Sequence, residues 1–292
     1  MAKRVVLFLA TNLAIVVTLS LVLSLLGAGR YVGADGRLDF VQLAVFCFVW
    51  GMGGAFISLQ ISRWTAKRAM GIQLVNGQSG TQDLDWLYNT IGHLTQQANL
   101  PMPEVGVYDS PEVNAFATGP SKRRSLVACS TGLLRSMTRE EVQGVLAHEI
   151  SHIGNGDMVT MTLLQGVVNA FVMFLARLVA HAIRQTMDSR AANTVSFVVR
   201  IVLEIVLGIL GSLIVAWFSR HREYRADAGG AALAGRSAML GALKRLLSTQ
   251  ERVDVSNTAL ASFKIAGGRS WLQLFATHPP LEARIAALES GQ

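Results

Sequence analysis

The sequence predicts an α-helical integral membrane protein with four spans and a cytoplasmic α+β domain. Of the 292 residues, 51% are hydrophobic and only 15% are charged, and the mean hydropathy is +0.39. This composition is too apolar for an ordinary soluble enzyme. Four long apolar runs and a His-Glu-x-x-His motif outside them complete the evidence for this fold class.

The charge and the cysteines narrow the possible partners. The net charge is +7 and the isoelectric point is about 9.9, but the basic residues lie mainly beside apolar runs and form no basic patch interleaved with aromatic residues. We therefore expect the lipid bilayer, and not a nucleic acid, as the anionic partner. Cys47 and Cys129 belong to no Cys-x-x-Cys pair, so we expect neither a disulfide nor a thiolate metal site.

Four segments are long and apolar enough to cross about 30 Å of hydrocarbon. They are Val5–Gly27, Phe40–Ser62, Met158–Ala180 and Val195–Phe218. Lys3 and Arg4 precede the first run as in a signal peptide, but the run exceeds the about 7 to 15 residues of a signal-peptide core, so we interpret it as a retained helix.

The distribution of charge predicts the orientation of the first two spans but conflicts with that of the last two. Basic residues precede the first span and follow the second, which predicts that both of these ends are cytoplasmic. The loop between the last two spans should then lie outside, yet four arginines surround it: Arg177, Arg184, Arg190 and Arg200. We therefore expect this pair to be tilted or partly packed on protein.

Glu204 lies inside the fourth predicted span. A carboxylate within a membrane span suggests a functional site by default. Arg200 is four residues earlier on the same helix face and could neutralise it. We therefore predict a structural ion pair between these two residues.

The remaining segments predict a small soluble domain formed in two parts. We divide the chain into a first hairpin (1–68), a first soluble part (69–157), a second hairpin (158–218) and a second soluble part (219–292). Helical periodicity, breakers and β-branched runs predict the secondary structure of the first soluble part. It comprises helices over 83–100 and 138–153, strands over 104–108 and 125–129, and an extended segment over 111–119.

The strongest chemical signal is His148-Glu149-Ile150-Ser151-His152, which lies on the predicted helix that Thr138 caps. A spacing of four residues places both imidazoles on one helix face, where they can bind a single Zn²⁺. Glu149 would then lie beside the metal as general base. The alternative is a pair of solvated surface histidines. Asp157, just after this helix, is interpreted as a cap of the third span and left out of the site.

A catalytic zinc ion needs a third protein ligand from elsewhere in the chain. The segment after the fourth span returns to the same membrane side, and it carries Glu223 and Asp227 four residues apart. Glu223 can coordinate the metal while Asp227 fixes the tautomer of a ligand histidine. His221 is the competing ligand, and a charge-rich helix end at the membrane surface is the alternative without a metal.

Four motifs occur in order and carry a family resemblance. They are the zinc motif with Asn155-Gly156-Asp157, the Glu223–Asp227 pair, Asn114 to Gly119, and Thr277-His278-Pro279-Pro280. Together they resemble the zinc metallopeptidase family of the bacterial heat-shock membrane proteases and the eukaryotic CAAX prenyl-protein proteases. The resemblance covers essentially the whole chain. It implies a gluzincin-like zincin domain with one Zn²⁺ per chain and the ligand, base and orienting roles described above.

The resemblance also implies roles for two segments that spacing alone does not assign. Asn114, Ala115, Phe116 and Ala117 would form an edge strand along the cleft, to which a substrate backbone could add. His278 would be catalytic and donate a hydrogen bond to the oxyanion. The alternative for His278 is that its segment, 277–280, simply opens the last helix, with Arg284 pairing locally.

The expected function is that of a membrane-bound zinc metalloendopeptidase. The resemblance implies misfolded or damaged membrane proteins as substrates, a role in stress response and quality control, and a multi-pass location in the bacterial inner membrane. An intramembrane protease is disfavoured, because Thr138 to Glu141 could not lie in lipid. A zinc-stabilised scaffold without turnover is the rival from another class, and Glu149 argues against it, because a structural site has no use for a base.

Overall fold

The structure of the protein is a computed structural model that describes residues 15, 17–19, 21–23, 25, 31–33, 37–187, 189–256 and 276–291. Only the backbone is described for 189–190 and 251–256. The predicted first span, Val5–Gly27, therefore lies largely outside the described residues, although those of its residues that are described are helical.

The described elements between residues 40 and 290 are eight helices and four strands. In chain order they are α1 (Phe40–Met70), β1 (Gln73–Val75), α2 (Gln82–Gln97), β2 (Glu104–Tyr108), β3 (Ala115–Ser121), β4 (Arg124–Ser130), α3 (Thr131–Ser136), α4 (Arg139–Asn155), α5 (Asp157–Gln185), α6 (Ser189–Ala234), α7 (Arg236–Ser256) and α8 (Leu281–Ser290).

The chain divides into two compact units. The helical unit comprises Met1–Leu59 and Thr160–Val215, and the sheet unit comprises Gln60–Val159 and Ala216–Gln292. Three helices among the described residues, α1, α5 and α6, are long and apolar enough to cross a membrane by length and composition. They contain the predicted second, third and fourth spans, and each continues beyond the predicted bounds.

Small residues allow α1 and α5 to approach closely within the helical unit. A Cβ atom on Gly51 would lie 2.6 Å from the backbone nitrogen of Ala170, and one on Gly166 would lie 3.2 Å from the Cα atom of Met52. Such contacts are typical of helices packed in lipid, where small side chains bring backbones together.

Glu204 forms an ion pair as predicted, but its partner is Arg177 and not Arg200. Arg177 of α5 donates from Nη1 to Glu204 Oε1 at 2.7 Å, so the neutralising charge comes from the neighbouring helix. The guanidinium of Arg200 instead lies over the ring of Phe197, 5.2 Å from its centroid. Sequence spacing could not reveal a partner that tertiary packing brings from another helix.

The sheet of the sheet unit has the strand order β1-β2-β4-β3. Strands β2 and β4 are parallel, with Val105 opposite Val127, whereas β3 runs antiparallel to β4, with Phe116 opposite Ala128. Strand β3 is therefore an edge strand. The predicted strands at 104–108 and 125–129 are confirmed, whereas β1 and the short helix α3 were not predicted.

Helix α4 packs on this sheet through its buried apolar face. Leu146, Ile150 and Ile153 form one cluster with Leu87 and Ile91 of α2 and with buried residues of β2 and β4. The predicted capping box is confirmed: the Thr138 side chain accepts from the Glu141 backbone, and the Glu141 side chain accepts from the Thr138 backbone. The helix continues to Asn155, two residues past the predicted end at 153, and Gly156 terminates it in a left-handed conformation with φ of 71°.

Candidate metal centre

The helices α4 and α6 bring three potential metal ligands together. His148 and His152 project from the same face of α4, and Glu223 projects from α6, which continues without a break from the fourth predicted span. Glu223 is fully buried, and the two histidines are 7% and 8% exposed. Two elements far apart in the chain therefore supply one buried site.

The three side chains surround a point at distances that suit a tetrahedral metal ion. The Nε2 atoms of His148 and His152 are 3.0 Å apart. Glu223 Oε2 lies 3.4 Å from His148 Nε2, and its Oε1 lies 3.5 Å from His152 Nε2. Ligands at about 2.0–2.1 Å from zinc in a tetrahedron are separated by about 3.3 Å. The described residues contain this one cluster of ligand type with atoms within 4.8 Å of one another.

Carboxylates behind the histidines determine which nitrogen faces that point. His148 Nδ1 lies 2.9 Å from Asp227 Oδ1, and His152 Nδ1 lies 2.6 Å from Asp157 Oδ2. A proton on each Nδ1 leaves a lone pair on each Nε2, and the two lone pairs would repel at 3.0 Å unless a cation lay between them. The approach of Glu223 from a third side indicates a metal ion.

Two residues outside the predicted site take part in this arrangement. Asp157 is 2% exposed and contacts His152, so its interpretation as a cap alone was incomplete. Arg284 of α8 is 7% exposed and donates from Nε to Asp227 Oδ2 at 2.7 Å. An aspartate five residues after the second histidine was a usable signal, whereas nothing in the sequence connected Arg284 with Asp227.

The electrostatics of the cluster favour ionised carboxylates. Burial raises the pKa of Glu223, but hydrogen bonds from His148 and His278 outweigh it and hold the pKa well below its usual range. Burial likewise raises the pKa of Asp227, but the hydrogen bonds and charges of Arg284 and His148 together outweigh burial and lower the pKa. Burial lowers the pKa of His148, but hydrogen bonds to Asp227 and Glu223 raise it to about 9. A metal cation would displace the proton that these groups attract.

The other predicted site residues lie next to His148, in contact with Glu223, or on a strand that packs against α4. Glu149 is half-buried, next to His148 on α4. His278 is largely exposed, and its Nδ1 lies 2.8 Å from Glu223 Oε2. Ala115, Phe116 and Ala117 belong to the edge strand β3, which packs against α4, and Asn114 immediately precedes that strand. The competing ligand His221 is exposed, and its Nδ1 contacts the backbone oxygen of Trp217 instead.

The family model described as Peptidase family M48 matches residues 81–292. A "Protease HtpX" of Idiomarina loihiensis is 53% identical over 98% of this chain and 99% of its own length. A "Protease HtpX homolog" of Thiobacillus denitrificans is 51% identical over 99% of this chain and 100% of its own length. The crystal structure of S. mikatae Ste24p shares the fold, with a TM-score of 0.65 at 19% identity, covering 99% of this chain and 67% of that one. These similarities confirm the family resemblance seen in the motifs, and the chain belongs to Peptidase family M48 as a membrane metalloprotease.

Proposed function

We propose that the protein is a zinc endopeptidase in which His148, His152 and Glu223 bind one Zn²⁺ and Glu149 is the general base. The observation that carries this proposal is the approach of two Nε2 atoms and one carboxylate to a common point. Two imidazoles and one carboxylate are a ligand set that suits zinc and leaves a fourth position open for catalysis.

The bound metal would supply acidity to a water molecule and polarise the scissile carbonyl. Glu149 is adjacent to His148 and half-buried, so its carboxylate can reach the cleft without coordinating. It would take a proton from the attacking water and deliver it to the leaving amine. Asp227 and Asp157 would hold the two imidazoles in the tautomer that presents Nε2.

The primary test compares the wild type with Glu149→Gln, after chelation and reconstitution with zinc in detergent. We expect both proteins to bind one zinc per chain, and we expect the variant to cleave casein and the protein itself about 10² to 10⁴ times more slowly. Wild-type turnover from the Glu149→Gln variant would refute the role of the base. Zinc binding without cleavage by the wild type would favour the scaffold.

We propose that the edge strand β3 binds the substrate backbone. Ala115, Phe116 and Ala117 pair with β4 on one side and with no other strand among the described residues. A substrate that added as a further strand would form main-chain hydrogen bonds with β3, and these bonds depend little on the substrate sequence. Asn114 could bind the substrate main chain at the end of β3. An Ala117→Pro substitution should raise KM, while the control Thr118→Ser should not.

We also propose that His278 is a catalytic residue that donates a hydrogen bond to the oxyanion. His278 lies in the segment just before α8, and its contact with Glu223 holds it beside the metal cluster. A His278→Ala variant should keep zinc and lose about 10² to 10³ in kcat, the usual contribution of one oxyanion donor. If the His278→Ala variant binds zinc and its kcat is unchanged, His278 has only the structural role.

We propose a four-span topology in the bacterial inner membrane, with the metal cluster facing the cytoplasm. Basic residues that follow the second predicted span support this orientation. Both natural cysteines are buried, so a Lys122→Cys variant offers one exposed thiol in the sheet unit. A membrane-impermeant maleimide should label it in inside-out vesicles and not in intact spheroplasts. Labelling of intact spheroplasts would reverse the topology.

The polypeptide substrates of this protease would be chiefly misfolded or damaged membrane proteins. An edge strand binds the main chain of a substrate and not a defined sequence of side chains. In a membrane protease, such a strand would favour unfolded segments near the bilayer. We infer a role in quality control under stress. Cleavage of a destabilised membrane protein should exceed that of its stable parent when both are reconstituted in the same vesicles.

A further inference from the structure

Four basic side chains line one cavity of the helical unit, well away in sequence from the metal ligands. The cavity has a volume of about 180 Å³ and lies between the C-terminal part of α5 and the N-terminal part of α6. Its lining includes Arg177, His181 and Arg184 of α5, Arg200 of α6, and Tyr31. This volume is below the about 300 Å³ typical of the smallest ligand sites, so it suits a single charged group.

The charge in this cavity, which we name the arginine pocket, is only partly neutralised by the protein. Glu204 pairs with Arg177 at 2.7 Å. Neither Arg184 nor Arg200 forms an ion pair with a carboxylate in the part of the chain that the structure describes. The Nε–H groups of Arg177 and Arg200 are buried without a hydrogen-bond acceptor among the described residues. Buried donors of this kind need an acceptor that the described residues do not supply.

An apolar face on α6 continues directly from the arginine pocket. Phe197, which lines the pocket, is 53% exposed, and it is followed at four-residue spacing by Ile201, Ile205 and Ile209, which are 39%, 58% and 50% exposed. Residues at this spacing share one side of a helix. The helix therefore presents a cationic pocket at one end of an exposed apolar stripe. This arrangement is complementary to a phospholipid, which carries an anionic phosphate at one end of its apolar acyl chains.

We propose that the arginine pocket binds the phosphate of an anionic phospholipid, whose acyl chains lie along the stripe Phe197–Ile209. Guanidinium groups bind phosphate oxygens through paired, charge-assisted hydrogen bonds. The pocket has two unpaired guanidinium groups and no free carboxylate among its described lining residues to bind an ammonium group. An anionic headgroup such as phosphatidylglycerol is therefore preferred over phosphatidylethanolamine, and the site accounts for the arginines that contradict the positive-inside pattern.

The proposal is tested by binding of phosphatidylglycerol and of phosphatidylethanolamine with identical acyl chains to the delipidated full chain in detergent, measured by native mass spectrometry. We expect phosphatidylglycerol to bind at least about tenfold more tightly. An Arg184→Gln/Arg200→Gln variant should bind it about a hundredfold more weakly, about tenfold for each lost charge-assisted contact, and should lose the preference. Equal binding of the two lipids by the wild type would overturn the proposal.

The controls separate local recognition from net charge and from misfolding. An Arg123→Gln/Arg135→Gln variant removes the same charge from exposed positions in the sheet unit and should bind as the wild type does. Arg184 is exposed, so Arg184→Gln alone should fold normally and still bind about tenfold more weakly. Wild-type affinity in that single variant would refute the site. Inorganic phosphate in large excess should compete poorly, because it lacks the acyl chains, and competition equal to that of the lipid would identify a free-anion site instead.

Discussion

At the scale of single residues, the carboxylates behind the histidines explain why the cluster suits a metal. His148 contacts Asp227, and His152 contacts Asp157, through Nδ1 in each case. Such partners fix the tautomer and increase the basicity of the opposite nitrogen. Asp227 is in turn held by Arg284, whose buried charge it neutralises. A chain of contacts therefore extends from α8 to the centre of the site.

The contact between Asp157 and His152 predicts an effect on metal affinity. An Asp157→Asn variant keeps the side-chain volume but removes the charge that orients His152, so its zinc affinity should fall about 10- to 100-fold. Competition with a chromogenic chelator would measure this change. The control Asp83→Asn removes an exposed carboxylate that pairs with Arg139 on the surface, and it should leave the affinity unaltered. Equal affinities of the Asp157 variant and the wild type would exclude the orienting role.

At the scale of elements, close approach between α4 and α7 positions the histidine helix. A Cβ atom on Gly144 of α4 would lie 2.8 Å from the backbone carbonyl carbon of Ala238 and 3.1 Å from the Cβ atom of Ala242, both on α7. Backbone atoms cannot move aside as a side-chain end can, so the two helices would have to separate.

A Gly144→Ala variant should therefore be destabilised by about 1–3 kcal/mol. For a unit of this size the midpoint of thermal unfolding should fall by about 2–12 °C, measured by circular dichroism in detergent. The matched control is Gly154→Ala on the same helix, where the nearest atom to the new methyl group is Leu100 Cδ1 at 3.6 Å. Equal midpoints for the two variants would contradict the tight approach of α4 and α7.

The helices of the helical unit allow a similar comparison. A Gly51→Val variant would force side-chain atoms into the backbone of Ala170 on α5, so the packing of α1 against α5 should weaken by about 1–3 kcal/mol. The denaturing-detergent concentration at which the purified protein loses its fold should fall. Gly208→Val on α6 is the control, because no atom lies within 4 Å of the added Cβ. A Gly51→Val protein as resistant as this control would show that the contact contributes little.

At the scale of the whole molecule, the metal would connect two stretches of the sheet unit that are distant in sequence. His148 and His152 belong to the stretch before α5, and Glu223 belongs to the stretch that begins at Ala216 in the C-terminal part of α6. A ligand that binds only the folded state stabilises it by about 4 kcal/mol at a free concentration a thousand times its Kd.

Removal of the metal should therefore lower the unfolding midpoint of the sheet unit by about 8–16 °C. Hydrogen exchange in β2 and β4 with and without chelator would localise the change to this unit. A His148→Ala variant should unfold at the lower midpoint regardless of chelator. An identical midpoint of the wild type with and without chelator would show that the metal does not stabilise the fold.

Much of the architecture followed from local patterns in the chain. Length and hydropathy predicted the segments within α1, α5 and α6, and the capping box of Thr138 with Glu141 predicted the start of α4. The four-residue spacings of His148 with His152 and of Glu223 with Asp227 predicted a shared helix face for each pair. These features depend on helix periodicity and on backbone groups near in sequence, so the sequence alone was enough.

Other features depended on contacts that only the tertiary structure creates. The sequence placed neither β1 nor α3, assigned the wrong partner to Glu204, and left Asp157 and Arg284 out of the site. The pairs Arg177–Glu204 and Arg284–Asp227 join different helices, and no periodicity within one helix encodes them. The sequence by itself thus determined the apolar helices α1, α5 and α6, the histidine helix and the ligand candidates. Helix packing decided which charges meet, because ion pairs between elements depend on distance in space and not on spacing in the chain.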